Sequence, residues 1–115
     1  MAFSFQNQVT YEQLLIFAKD IFAFTGKLPS YESNGLILRI RNLASSLLQE
    51  YALGSTRVSK VNFSQAVEKC IVLVAQIVSL SDLCVHLGYA TLTAQRSLIL
   101  SAEDITKRLY QLRKP

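Results

Sequence analysis

Few residues in this chain have side chains that could do chemistry, and they do not fall at spacings that make a reaction. Ser81, Asp82 and His86 carry the letters of a hydrolase triad. One helix would hold all three, which leaves no second wall for a substrate cleft and no donors for an oxyanion hole. His86 is the single histidine. It falls near the C-terminus of its helix and four residues after Asp82, where the helix dipole and the carboxylate both favour an imidazolium. Cys70 and Cys84 lie fourteen residues apart in the same helix, about 21 Å at 1.5 Å per residue, too far for a disulfide. They are expected to be small buried hydrophobes in a reducing compartment. The chain has no Glu-x-x-His pair for a di-metal site, no phosphate-binding or dinucleotide glycine loop, no C-x-x-C and no nucleophile elbow. The expectation is a non-enzymatic protein with no metal and no cofactor.

Charge is the remaining functional signal. Residues 1–56 hold four basic and four acidic side chains, and residues 57–115 hold eight and four, so the net charge of +4 resides in the second half. Lys107, Arg108, Arg113 and Lys114 fall in the last nine residues with no acid among them. With Arg57 and Lys60 they form a candidate nucleic-acid-binding set, since clustered cations attract phosphates in a salt-dependent way. The plainer reading is that cations near a helix C-terminus complement its dipole and keep the surface soluble. Arg39 and Arg41 could widen the basic surface or serve as subunit contacts.

These side chains are positioned by helices, because apolar residues recur at helical spacing along the whole chain and strand alternation is absent. A first helix is expected over about Tyr11–Thr25, with Thr10 as N-cap and Gly26 beyond its end. Lys27-Leu28-Pro29-Ser30 breaks it. A second helix is expected over about Tyr31–Leu53, followed by a loop from Gly54 to Ser59. The third, about Lys60–Leu87, carries Phe63, Ala66, Cys70, Leu73, Ile77, Leu80, Cys84 and Leu87 at alternating spacings of three and four, a bundle seam. Val67, Ile71, Val74, Val78 and Val85 form a second stripe beside it. Gly88 ends this helix, Thr91 or Thr93 starts the last, and Leu98, Ala102, Ile105, Leu109 and Leu112 line its inner face. Short connections favour antiparallel neighbours. The fold class is therefore all-α, one antiparallel up-down-up-down four-helix bundle spanning residues 1–115.

The chain is 50% hydrophobic and only 17% charged, against about 25% charged for an ordinary domain. A third helix apolar on two sides needs neighbours on two sides, so a homo-oligomer is expected, with Val67, Val74 and Val78 as candidate interface residues and the choice between the two stripes left open. The apolar uncharged run Cys70–Ser81 is short of the roughly 20 residues that span a bilayer, and the first residues lack a secretory signal. A cytoplasmic protein without a membrane segment is expected.

Taken in order, Phe24-Thr25-Gly26-Lys27-Leu28-Pro29, Glu32, Gly35-Leu36, Arg39-Ile40-Arg41, Ala44-Ser45-Ser46, Gly54, Arg57, Ser59, Phe63 and Leu87-Gly88-Tyr89 resemble the pattern of a four-helix-bundle family. The family is that of proteins encoded in intervening sequences of bacterial 23S rRNA genes, related to the accessory proteins of diversity-generating retroelements. The chain departs from the pattern where it has Leu38 or Arg39 in place of a glutamine, and Leu53 and Gln76 in place of acidic residues. The resemblance implies a homopentameric barrel. Its retroelement branch implies binding to RNA or DNA through a basic surface and to a reverse transcriptase as partner. The alternative is a purely structural or protein-interaction homopentamer.

Overall fold

A computed structural model describes residues 3–56 and 59–113. Four helices follow in order, α1 (Val9–Thr25), α2 (Leu36–Ser55), α3 (Lys60–His86) and α4 (Leu92–Arg113), with short 3-10 turns at Ser4–Asn7 and Ser30–Glu32 and no strand among the described residues. Each helix packs against its chain neighbours, and α1 and α4 close the square. The helices run alternately up and down: Tyr51 near the end of α2 bonds to Gln8 at the start of α1, and Gln95 at the start of α4 bonds to Ser81 near the end of α3. The molecule measures 44 × 24 × 20 Å. One core runs along its length, built from Leu14, Phe17 and Ile21 of α1, Ile40 and Leu47 of α2, Cys70 and Ile77 of α3, and Leu98 and Leu109 of α4. Each large aliphatic or aromatic side chain sealed there contributes roughly 1.5–3 kcal/mol.

Helix ends show where local rules hold and where packing overrides them. Ser59 caps α3 by accepting from the Asn62 amide, and the Thr91 hydroxyl accepts from the Ala94 amide at the start of α4. The α3 terminus is a full Schellman motif. The Tyr89 amide donates to the Cys84 carbonyl and the Gly88 amide to the Val85 carbonyl, with Gly88 at φ +78°. Thr10, expected as a cap, is instead buried in the first turn of α1. The N-cap is Gln8, whose side-chain oxygen accepts from the Tyr51 hydroxyl rather than from the helix.

The second helix starts later and ends later than its pattern suggests. Residues 30–32 form a 3-10 turn, Gly35 breaks the backbone path, and the Glu32 Oε1 caps α2 by accepting from the Leu36 amide. At the other end Gly54 lies inside the helix rather than in a loop. It is there because α2 and α3 approach closely: a Cβ at this position would run into the Cβ of Ala66.

The third helix corrects the expectation about its two stripes. Its buried line is Ala66, Val67, Cys70, Val74, Ile77, Ser81 and Cys84, which runs between them. Val67 and Val74 are 0% and 2% exposed within a single chain, so Val67 has no surface to offer a second copy and Val74 almost none. The broad apolar arc of α3 faces α2 on one side and α4 on the other, and both neighbours come from the same chain. By length and composition alone this helix is apolar enough to cross a membrane. Here its buried line serves the bundle, and Gln65, Glu68, Lys69, Gln76 and Asp82 stand on its exposed side.

Candidate nucleic-acid interface and apolar groove

The alternating helix directions bring the start of α3 and the end of α4 to one end of the bundle, and with them four of the predicted cations. Ser64 donates to the Arg113 carbonyl at 2.6 Å, which ties α3's first turns to α4's last. Lys60 is exposed at the first position of α3. The dipole of α3 disfavours a cation there, so helix stability does not account for Lys60. Lys107 is exposed and Arg108 half-buried on α4. Arg113 lies with its guanidinium 4.9 Å from the centre of the Tyr110 ring and 3.9 Å from the Glu68 carboxylate, in a half-exposed pair worth at most about 1 kcal/mol. From Lys60 to Lys107 the set covers about 15 Å of the bundle axis. Arg57 and Lys114 lie outside the described residues.

Arg39 and Arg41 do not extend this surface, because α2 begins at the opposite end. Arg39 is exposed there. Arg41 is a clamp. Its Nε donates to the Thr25 Oγ1 at 2.8 Å, its Nη2 to the Phe22 carbonyl at 3.3 Å, and its guanidinium stacks 4.6 Å from the Phe22 ring centre. The Thr25 hydroxyl in turn donates to the Ile21 carbonyl at 2.9 Å. Gly26 stays in the right-handed region. The last carbonyls of α1 are satisfied by the amides of Gly26, Lys27 and Leu28, with Arg41 adding a second donor at Phe22, and no left-handed glycine is needed.

The letters of the triad are spent on structure. Ser81 is fully buried and donates to the Val78 carbonyl. Gln95 donates from its Nε2 to the Ser81 Oγ at 2.8 Å and to the Asp82 Oδ1 at 2.6 Å. His86 is exposed at the helix end and forms no ion pair with Asp82. Gln95 went unnoticed in the sequence, since a glutamine at an inward helical position signals its partner only once α3 and α4 are in register. Among the described residues no three of His, Cys, Asp and Glu come together as a metal site. A second polar latch joins the far loops: Tyr89 donates to the Glu32 Oε2 at 3.1 Å, and its ring meets Tyr31 edge-on. The thiol of Cys70 is pushed up to about 12 by burial, with the Glu50 carboxylate adding to it. Burial also raises the hydroxyl of Tyr51, against hydrogen bonds from Ser55 and Thr10 and the nearby Arg108 charge.

Between α3 and α4 runs an open groove of about 620 Å³. Its floor is Ile71, Val74, Val78, Ile99 and Ala102, and its edges carry Asp82, Glu103, Lys107 and Tyr110. Val78, the third residue expected at an interface, is half-buried in that floor. The neighbouring α2–α3 hollow is lined by Ser46, Glu50, Gln65, Glu68, Lys69, Val72 and Leu73.

No protein-family model matches the chain, and no curated protein is similar to it.

Proposed function

We propose that this protein is a non-catalytic oligomeric adaptor that holds RNA or DNA by its phosphates on the cationic end of the bundle. The observation that carries this reading is the convergence of Lys60, Lys107, Arg108 and Arg113 at one end, with Lys60 placed where its own helix does not want it. The family resemblance supports a cytoplasmic pentamer that presents nucleic acid to a reverse transcriptase. A second reading, a homopentamer that contacts only proteins, is favoured by the apolar α3–α4 groove.

Fluorescence anisotropy with a labelled structured RNA and a labelled duplex DNA separates the two. Four phosphate contacts per chain predict roughly a hundredfold loss of duplex affinity between about 50 and 200 mM salt. Lys60→Glu with Arg113→Glu should lower affinity and flatten that salt dependence. Absence of binding at about 50 mM salt, or binding indifferent to both reversals, overturns the nucleic-acid reading and leaves the protein-only one.

A further inference from the structure

We infer that the α3–α4 groove seats the outer face of α1 from a second copy of this chain. The inference rests on the self-association proposed above and names its surface. Three observations carry it: the apolar content of the α1 face, its charge order, and its spacing.

The outer face of α1 presents Leu15 at 44% and Phe22 at 45% exposure, one turn to either side of Lys19, with Glu12 a further turn toward the N-terminus. By contrast, the exposed Leu38 and Leu53 on the outer face of α2 stand fifteen residues, about 22 Å, apart with Asn42, Ser45 and Gln49 between them, too far for both to enter the groove. Phe22 leans toward α2, where Arg41 stacks on it. The α1 face and the α3–α4 groove therefore lie on different sides of the bundle, and one molecule can use both at once.

Charge sets the direction. Along the groove Lys107 comes first, then Glu103, then Asp82, which is level with Gln95 through their hydrogen bond. Along α1 the order is Glu12 then Lys19. Laying α1 antiparallel to α4 puts Glu12 beside Lys107 and Lys19 between Glu103 and Asp82; the reverse direction opposes like charges. With Glu12 level with Lys107, Leu15 falls about 4.5 Å further along and Phe22 about 15 Å along. On the same scale Ile71 lies close to Leu15, and Val78 and Ile99 lie about 12 Å along, within a side chain's reach of Phe22. The apolar positions on the two surfaces match in the register the charges select.

Within one chain α1 is already antiparallel to α4, so this contact keeps every copy pointing the same way. A face-to-groove contact between like-oriented copies is heterologous, the kind that closes into a ring when the rotation allows.

The test is the mass of the purified full chain by light scattering. Lys19→Glu sets three carboxylates together, and Glu103→Lys sets a lysine against Lys19; each variant is expected to fall from the wild-type assembly toward the 12.9 kDa monomer, with affinity lowered about tenfold or more. The double variant, Lys19→Glu with Glu103→Lys, is expected to reassemble. Both side chains are exposed, and thermal melts establish that each variant stays folded. A folded single variant that keeps the wild-type mass, or a double variant that stays monomeric, overturns the groove assignment while self-association stands. A wild-type monomer at high concentration overturns both.

Discussion

The Arg41 clamp makes a prediction that separates a structural arginine from a binding one. Arg41→Ala removes the Nε bond to Thr25, the longer Nη2 bond to the Phe22 carbonyl, and the guanidinium over the Phe22 ring. A charge-assisted bond to a buried hydroxyl is worth about 1.5 kcal/mol. The 3.3 Å bond adds a few tenths, and a half-exposed cation–π contact adds about 0.5 kcal/mol. Thr25 keeps its own donation to Ile21, so no hydroxyl proton is orphaned and the total stays near 2 kcal/mol. For a chain of 115 residues that lowers the melting temperature by about 8 °C. Arg41→Lys should recover less than half of the loss, because a point charge cannot reach both acceptors with one fork. The assay is urea unfolding of wild type, Arg41→Ala, Thr25→Val and the double variant, and the cycle should return a coupling of about 1 kcal/mol between the two side chains. Nucleic-acid affinity should be unmoved. A loss below about 0.5 kcal/mol accompanied by weaker RNA or DNA binding would refute the clamp and restore Arg41 to the binding surface.

Two further perturbations test the core. Gly54→Ala would gain about 1 kcal/mol of helix propensity on an exposed face, but here it drives a methyl into Ala66; overpacking of this kind costs about 1–3 kcal/mol, so the urea midpoint should fall and Ala66→Gly in the same chain should raise it again. Cys70 is held protonated by burial up to about 12: the folded state binds this proton more tightly than the unfolded state, so its contribution to stability is complete at neutral pH and is lost as the pH climbs past the ordinary thiol range toward 12. Urea midpoints measured from neutral to alkaline pH should drop over that window, and less steeply in Cys70→Ala; a thiol reagent at neutral pH should label native Cys70 only as fast as the protein opens.

Helices, their number and most of their faces were legible from period alone, because apolar residues three and four apart can lie on one side of nothing else. Gly88, and Thr91 as one of two candidate starts, were legible as punctuation for the same reason: each acts on the backbone within three residues of itself. What escaped notice depends on distant partners. Gly54 looks like a loop residue until Ala66 is seen beside it, and Arg41 looks like surface charge until Thr25 is found sixteen residues earlier. Gln8 displaces Thr10 as cap because Tyr51 holds its side chain from forty-three residues away. In the candidate site, the cations of α4 could be picked out by composition, whereas the exclusion of Arg39 and Arg41 required knowing which helix ends share a side of the bundle.

The same reasoning moves the surfaces on which the proposed self-association rests. A long helix apolar around much of its girth suggested that copies must cover it, yet α2 and α4 already cover most of it: Val67 is sealed inside one chain and Val74 shows only its edge at the groove floor. Apolar surface is left in water on all four helices, and the outer face of α1 and the groove whose floor includes Val78 are the two such surfaces whose charges complement one another. If those two surfaces meet in the direction their charges favour, every copy points the same way, and each cationic end opens onto the same rim. Lys107 is then shared between Glu12 of the adjoining copy and the phosphates, while Lys60, Arg108 and Arg113 carry the rest of the field at the rim. Assembly and phosphate binding become linked: a Lys19→Glu monomer retains all four cations but loses their repetition. Its affinity for a long duplex should fall far more than its affinity for a fragment short enough to meet one chain. Equal losses on the two lengths would mean that the cationic ends act singly and that the ring contributes nothing to binding.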